Sequence, residues 1–190
     1  RAIPHSDLRP ATIVEDNLFV RCNGEAEIVS VKTSGNMIRG NVFRDCEGEL
    51  VLRHGHDNTV ENNRFDGCLG GIRVSGAGHR VTGNVVWRCR RTGIRLNYGT
   101  TDTMHPASYL PVHDCVISRN TILDCGEAAI LVGSMRNAHH VNQRWAGRPW
   151  FASAVMDCTA APRGNVIESN ILTGAQGVLL QLDEAAENTI

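Results

Sequence analysis

Six short segments repeat one pattern along the chain: Asn17-Leu18-Phe19, Asn41-Val42-Phe43, Asn63-Arg64-Phe65, Asn84-Val85-Val86, Asn120-Thr121-Ile122 and Asn170-Ile171-Leu172. An aliphatic residue stands three positions before each asparagine (Val14, Ile38, Val60, Val81, Ile117, Ile167), and a cysteine five after it (Cys22, Cys46, Cys68, Cys89, Cys125), with Ala175 in the last copy. Successive asparagines are 24, 22, 21, 36 and 50 residues apart, so the short copies define a unit of about 22 residues and the long ones carry insertions. Within a unit, runs of Val, Ile, Leu and Phe are broken by Gly, Asn and Asp, as in Thr59-Val60-Glu61, Arg64-Phe65 and Gly71-Ile72-Arg73-Val74. These are strands of a few residues joined by turns, with no long run at helical period. A unit this small cannot bury its apolar side alone and must stack on its neighbours. The expected fold is all-β: a right-handed parallel β-helix of about six coils, one domain over residues 1–190, with insertion loops at about 97–113 and 133–163.

Asparagine suits such a stack because it tolerates the left-handed turn conformation and its amide can bond both the backbone and the next asparagine. Five of the seven cysteines share one repeat position. That register predicts a column of inward, buried thiols rather than a disulfide framework; Cys115 and Cys158 fall outside it. A formal net charge of -1 and a hydrophobic share of 42% leave no strongly basic field for nucleic acid. No apolar run is long enough to span a membrane or to serve as a signal-peptide core. Glu187-Asn188-Thr189-Ile190 reads like Asp57-Asn58-Thr59-Val60, the opening of another coil. The stack is therefore expected to be incomplete at both ends, with additional coils or a second chain completing it.

The sharpest local cluster is Asn23-Gly24-Glu25-Ala26-Glu27-Ile28-Val29-Ser30-Val31-Lys32, followed one unit later by Leu50-Val51-Leu52-Arg53-His54-Gly55. Alternation along a strand sends the Glu25 and Glu27 carboxylates to one face, where they are either solvated surface acids or hard oxygen ligands of the kind calcium takes. Lys32 and Arg53 lie 21 residues apart, about one coil, and so are expected on adjacent rungs. Arg73 and Arg95 extend this into a basic stripe, Lys32, Arg53, Arg73 and Arg95, suited to an extended polyanion or else balanced by neighbouring acids.

The stretch from Asn17 through Asn84 resembles the family 6 polysaccharide lyases, the family of chondroitinase B and many alginate lyases. The resemblance rests on GEAEIVSVK at 24–32, LRHG at 52–55, NTVENNRF at 58–65 and GIRVSGAGHRV at 71–81, and it weakens after Asn97. It implies a parallel β-helix that cleaves a uronic-acid polysaccharide, alginate ahead of dermatan or chondroitin sulfate, by calcium-assisted β-elimination. Lys32 would be the base that takes the C5 proton and Arg53 the acid at the departing oxygen. Glu25 and Glu27 would be calcium ligands, and His54 a positioning group beside the substrate. A further asparagine ligand in the family comes from the preceding coil, before Arg1, so the calcium site is expected to be incomplete within this chain. The partner implied is an anionic polysaccharide, and the compartment is secreted or periplasmic. Arginine scarcely gives up a proton near neutral pH, so Arg53 is better cast as stabilising the leaving oxygen while His54 or water supplies the proton.

The insertions add candidates of their own. The second holds His139, His140, Arg144, Trp145, Arg148, Trp150 and Phe151, a mixture of sugar-stacking rings and carboxylate-binding cations. Trp145 and Trp150 are either platforms beside a groove or packing for the loop. The first insertion holds Tyr98, His105, Tyr109 and His113, with the same two readings. Two alternatives stand beside the lyase: a non-catalytic β-helix that holds a polyanion without cleaving it, and a uronan C5-epimerase that shares proton abstraction but returns the proton. A hydrolase is disfavoured because no aspartate cluster is placed for acid and base work.

Overall fold

The short, β-branched segments between Gly, Asn and Asp form strands, and in the computed structural model of the chain they stack as the repeat demands. The structure describes residues 6–100, 108–136, 157–174, 176–183 and 187–190. Three parallel sheets run along one axis. Sheet 1 has seven strands (Ile13–Glu15, Met37–Arg39, Thr59–Glu61, Arg80–Thr82, Val116–Ser118, Arg163–Glu168 and Glu187–Thr189). Sheet 2 has six (Leu18–Val20, Val42–Arg44, Arg64–Asp66, Val85–Trp87, Thr121–Leu123 and Ile171–Thr173). Sheet 3 also has six (Glu27–Val31, Glu49–Leu52, Ile72–Val74, Ile94–Asn97, Ala128–Ser134 and Val178–Leu182). Each coil contributes one strand to each sheet, the arrangement of a parallel β-helix. Two residues of the first insertion, Gly99–Thr100, pair antiparallel with Cys158–Ala160 at the end of the second.

Three corners per coil close the path, and each has the same backbone solution. The corner residue adopts a left-handed conformation, with φ between 51° and 70°, in columns such as Asp16, Gly40, Asn62, Gly83, Arg119 and Ser169. Gly40 fits this column for a second reason: a Cβ there would lie 2.4 Å from Asp16 Oδ1 of the neighbouring coil. The residue after each corner turns its side chain inward. After the corner between sheets 1 and 2 it is the predicted asparagine. Asn63 donates from Nδ2 to the Ile38 and Glu61 carbonyls (2.9 and 3.1 Å) and to Asn84 Oδ1 (3.0 Å), and its own Oδ1 accepts the Asn41 backbone N–H (3.0 Å). The chain of amides runs unbroken from Asn17 to Asn170. After the corner between sheets 2 and 3 it is cysteine: Cys46, Cys68, Cys89 and Cys125 are buried as the register predicts, and Cys22 in the first coil is half-buried. All seven cysteines are free thiols. Burial pushes the Cys68 thiol up to about 12, which keeps it protonated and unreactive.

The third corner carries a second ladder that the repeat count did not reveal. Asn36, Asn58, His79, Cys115, Asn165 and Asn188 occupy it. Cys115 is therefore not outside the repeat; it fills an asparagine position, and its backbone N–H donates to Asn165 Oδ1 at 3.0 Å. His79 fills another. The Asn58 N–H donates to its Nδ1 (3.1 Å), so the proton sits on Nε2 and is given to the Ser75 carbonyl (3.0 Å). Inside the wall, Phe19, Phe43 and Phe65 stack with centroids 4.7 and 4.6 Å apart, and Leu50, Leu52, Ile72, Val74, Ile94 and Leu96 line the sheet 3 side.

His79 is fully buried as a neutral ring, and burial, with the nearby His56 adding to it, lowers its pKa from 6.5 to about 4 against the opposing pull of the Ser75 carbonyl and Asp57. The unfolded chain thus binds a proton between these values that the folded chain refuses. The stabilising contribution is complete above pH 6.5 and is lost as pH falls toward 4, by about 3 kcal/mol in all. Denaturant titrations at stepped pH should show this loss, and His79→Asn, which restores the prevailing ladder residue, should flatten it.

Candidate active site

Alternation on sheet 3 decides which side chains reach the outer face. With Leu50, Leu52, Ile72, Val74, Ile94 and Leu96 inward, Val51, Arg73 and Arg95 point outward, and these three are register partners on adjacent strands. Lys32 and Arg53 follow Val31 and Leu52, which are partners of each other, and the Arg53 N–H donates to the Val31 carbonyl at 2.9 Å. The two residues therefore sit on adjacent rungs, as their spacing predicts. The single basic stripe is corrected: Arg73 and Arg95 align with Val51, two residues before Arg53, so the four cations form two pairs offset by roughly 7 Å along the strands.

The Glu25 and Glu27 expectation is also corrected in part. The strand begins at Glu27, while Glu25 precedes it on an exposed turn. Glu27 is the hub of the face. Its Oε1 accepts from Arg53 Nη1 at 2.8 Å and from Arg73 Nη2, with its side chain only 9% exposed. Burial alone would raise its pKa, but the nearby Ser30 hydroxyl and the charges of Arg53 and Arg73 outweigh it and hold the carboxyl below the usual range.

One coil on, Glu49 is the register partner of Glu27 and pairs with Arg95 in the same way. Both acids reach an arginine 46 residues ahead, two coils away, so the arginine side chains lie along the axis instead of standing into solvent. Gly70 leaves the room Glu49 needs, since a Cβ there would lie 2.6 Å from Glu49 Oε1. Tyr109, from the first insertion, covers the cluster: its ring centroid is 5.2 Å from the Arg53 guanidinium carbon and 5.8 Å from that of Arg73. Lys32 is exposed at the open edge, and His54, 4% exposed, lies beneath the face with its N–H on the Val31 carbonyl (3.1 Å). Trp145 and Trp150, with His105, His139, His140, Arg144, Arg148 and Phe151, lie outside the described residues.

Glu49 was missed in the sequence, and Tyr109, read there only as a sugar platform or as loop packing, was not placed against the arginines. Glu49 had a signal, because it lies one 22-residue unit after Glu27 and repeats the 46-residue step to an arginine. Tyr109 had none, because its place depends on how the insertion folds back. The donor chemistry of Glu25 and Glu27 suits calcium, with hard carboxylate oxygens two residues apart and one of them exposed. Two carboxylates would supply only part of a calcium shell. Calcium takes six to eight oxygens, and among the described residues no group of three or more His, Cys, Asp and Glu gathers as a metal site.

Replacing the hub exposes its role. Glu27→Gln should cost about 3 kcal/mol of stability near neutral pH, because two guanidiniums would be left covered and facing each other without a countercharge. Glu27 carries a lowered pKa, so its contribution is present above the usual carboxylate range and lost as pH falls through the folded value. Chemical denaturation of both proteins should show the gap narrowing in acid.

With this geometry in place, comparisons with known proteins are specific. The chondroitinase B family model matches residues 5–179. A mannuronic-acid-specific polysaccharide family 6 lyase from human gut microbiota matches at 31% identity and a TM-score of 0.72, over 95% of this chain and 38% of its own. The PL6 family alginate lyase AlyGC matches at 30% identity and a TM-score of 0.71, over 97% of this chain and 24% of its own. The PL6 family lyase Pedsa3628 from Pseudopedobacter saltans matches at 25% identity and 0.64, over 88% and 48%. The chain thus spans between a quarter and a half of the length of these structures. No curated protein sequence matches. With the family model covering nearly the whole chain, and with Lys32 and Arg53 on adjacent rungs of a parallel β-helix, this chain belongs to the chondroitinase B family of family 6 polysaccharide lyases.

Proposed function

We propose that the face around Lys32 and Arg53 cleaves a uronic-acid polysaccharide by β-elimination, with alginate as substrate ahead of dermatan or chondroitin sulfate. The observation that carries this reading is the convergence of an exposed lysine, two arginines and one shared carboxylate on neighbouring rungs, in a chain whose relatives are family 6 lyases. The preference for alginate rests on relatives described as alginate or mannuronic-acid lyases. Lys32, as the neutral amine, takes the C5 proton. The electron pair released forms the C4–C5 double bond as the bond from C4 to the glycosidic oxygen breaks. Arg53, fixed by Glu27, donates hydrogen bonds to that departing oxygen, and solvent supplies the proton it ends with.

Glu25 and Glu27 would hold calcium together with further oxygen donors. When bound, calcium neutralises the sugar carboxylate and so acidifies the C5 proton. Arg73 and Arg95, each tied to a carboxylate, shape the floor on which the anionic chain lies. Such a substrate is met outside the cytoplasm, and we place the protein there, secreted or periplasmic.

The test is direct. Incubated with alginate and calcium, the protein should generate an unsaturated sugar seen as a rise in near-ultraviolet absorbance, and Lys32→Ala should slow this by about 10²–10⁴-fold. Proton NMR of the products separates elimination from epimerisation. Absence of unsaturated product from alginate, dermatan sulfate and chondroitin sulfate, with the polysaccharides still bound, would instead support the non-catalytic polyanion-binding reading. Calcium titration by calorimetry checks the metal independently of turnover: Glu25→Gln should weaken binding, and equal affinity in the variant removes Glu25 from the site.

A further inference from the structure

The first insertion does more than lengthen a coil, because its return leg, 108–112, seals one side of the arginine cluster. The return is fixed through the backbone. The Thr100 N–H and hydroxyl both donate to the Tyr109 carbonyl (2.8 and 3.2 Å), and the Gly76 N–H donates to the Leu110 carbonyl (3.2 Å). Thr100 is itself paired with Cys158 in the short antiparallel ribbon, so the ends of both insertions are joined at this point. Pro111 passes so close to Gly99 that a Cβ there would lie 2.4 Å from its Cα. Tyr98, Tyr109 and Cys158 form a small buried core of their own, with Tyr109 only 6% exposed. Tyr109 is therefore part of a rigid strap.

What the strap presents is a ring over two like charges. Arg53 and Arg73 share one oxygen of Glu27 on one side, and both guanidiniums lie within 6 Å of the Tyr109 centroid on the other. Two cations on a single carboxylate repel each other, and Arg53, with its side chain 23% exposed, has solvent to swing into. The electron-rich ring face attracts both, while its bulk closes off other rotamers. A guanidinium held in its plane by a carboxylate and across its face by a ring keeps its free N–H groups aimed one way.

We propose that Tyr109 is a positioning residue for the elimination: its ring, not its hydroxyl, holds Arg53 in the orientation in which it meets the departing oxygen. This inference rests on the lyase reading of the same face. It assigns a role to the first insertion, as the part that fixes the angle of a group belonging to the regular coils.

The experiment uses the whole chain with Tyr109→Phe and Tyr109→Leu, and reads three quantities: kcat and KM on alginate, the thermal midpoint, and the arginine Nε–Hε NMR signals, assigned with Arg53→Lys. The Phe variant should keep kcat within about twofold, whereas the Leu variant should lower kcat roughly tenfold or more, with KM within about threefold. In the Leu variant the Arg53 signal should also lose its ring-current shift. Unchanged kcat per folded Leu molecule overturns the proposal and leaves a purely structural strap. A rise in KM alone overturns it in favour of a substrate contact, and equal damage in Phe and Leu overturns it in favour of the hydroxyl. Should the wild-type chain form no unsaturated product from any uronan, the lyase reading falls by itself. The NMR comparison then still decides whether the ring orients Arg53, and an Arg53 signal identical in wild type and Leu variant overturns that too.

Discussion

The structure depends on a left-handed corner followed by an inward amide. The corner alone would be strained at Asp, Asn, Arg or Ser, at roughly 1 kcal/mol each, and the turn it makes would strand backbone N–H and C=O groups inside the wall. The asparagine after the corner removes that second cost. Asn63 satisfies two carbonyls with one amide nitrogen and an N–H of the neighbouring coil with its oxygen, so each rung supplies what the next lacks. Because the bond runs from coil to coil, it also fixes vertical register. Every strand that follows inherits its height on the axis from this contact.

That inheritance is what brings the site together. Lys32 and Arg53 are placed on adjacent rungs by the pairing of Val31 with Leu52, and Glu27 and Glu49 by the same two strands three steps earlier, beyond a register shift between Glu27 and Val29. The outer face of sheet 3 carries apolar and charged residues side by side, and its charges are mostly covered: the side chains of Glu27, Glu49, Arg73 and Arg95 are 9, 7, 11 and 15% exposed. Covered ion pairs of this kind add little net stability, because the loss of hydration offsets most of the attraction, but they hold the partners in fixed geometry. Lys32, at the rim of the same group, is its exposed member.

Much of this was legible in the residues, and the failures have a common cause. The asparagine repeat revealed the coil and predicted the buried thiols at Cys46, Cys68, Cys89 and Cys125. The second ladder escaped because His79 and Cys115 occupy two of its rungs, and a backbone role filled by three residue types leaves no sequence pattern. The basic stripe failed by a slip of two. Arg73 lies 20 residues after Arg53 while its register partner Val51 lies 22 before it, and a slip of two keeps a side chain on the same face while moving it along the strand. Glu25 was placed on a strand that starts two residues later. Tyr109 depends on the path of a long insertion, which local sequence does not encode.

The two-coil reach of Glu27 to Arg73 and of Glu49 to Arg95 changes how this solenoid should be counted. In a simple stack each repeat touches only its neighbours, so a coil can be duplicated or removed with a purely local penalty. Here two interlocked pairs skip a rung, and they overlap, so four consecutive coils form one indivisible block. Deleting any coil inside that block would leave an acid facing the wrong arginine. Elsewhere in the ladder a coil can be added or removed at local cost, whereas this stretch behaves as a single mechanical unit within an otherwise modular chain.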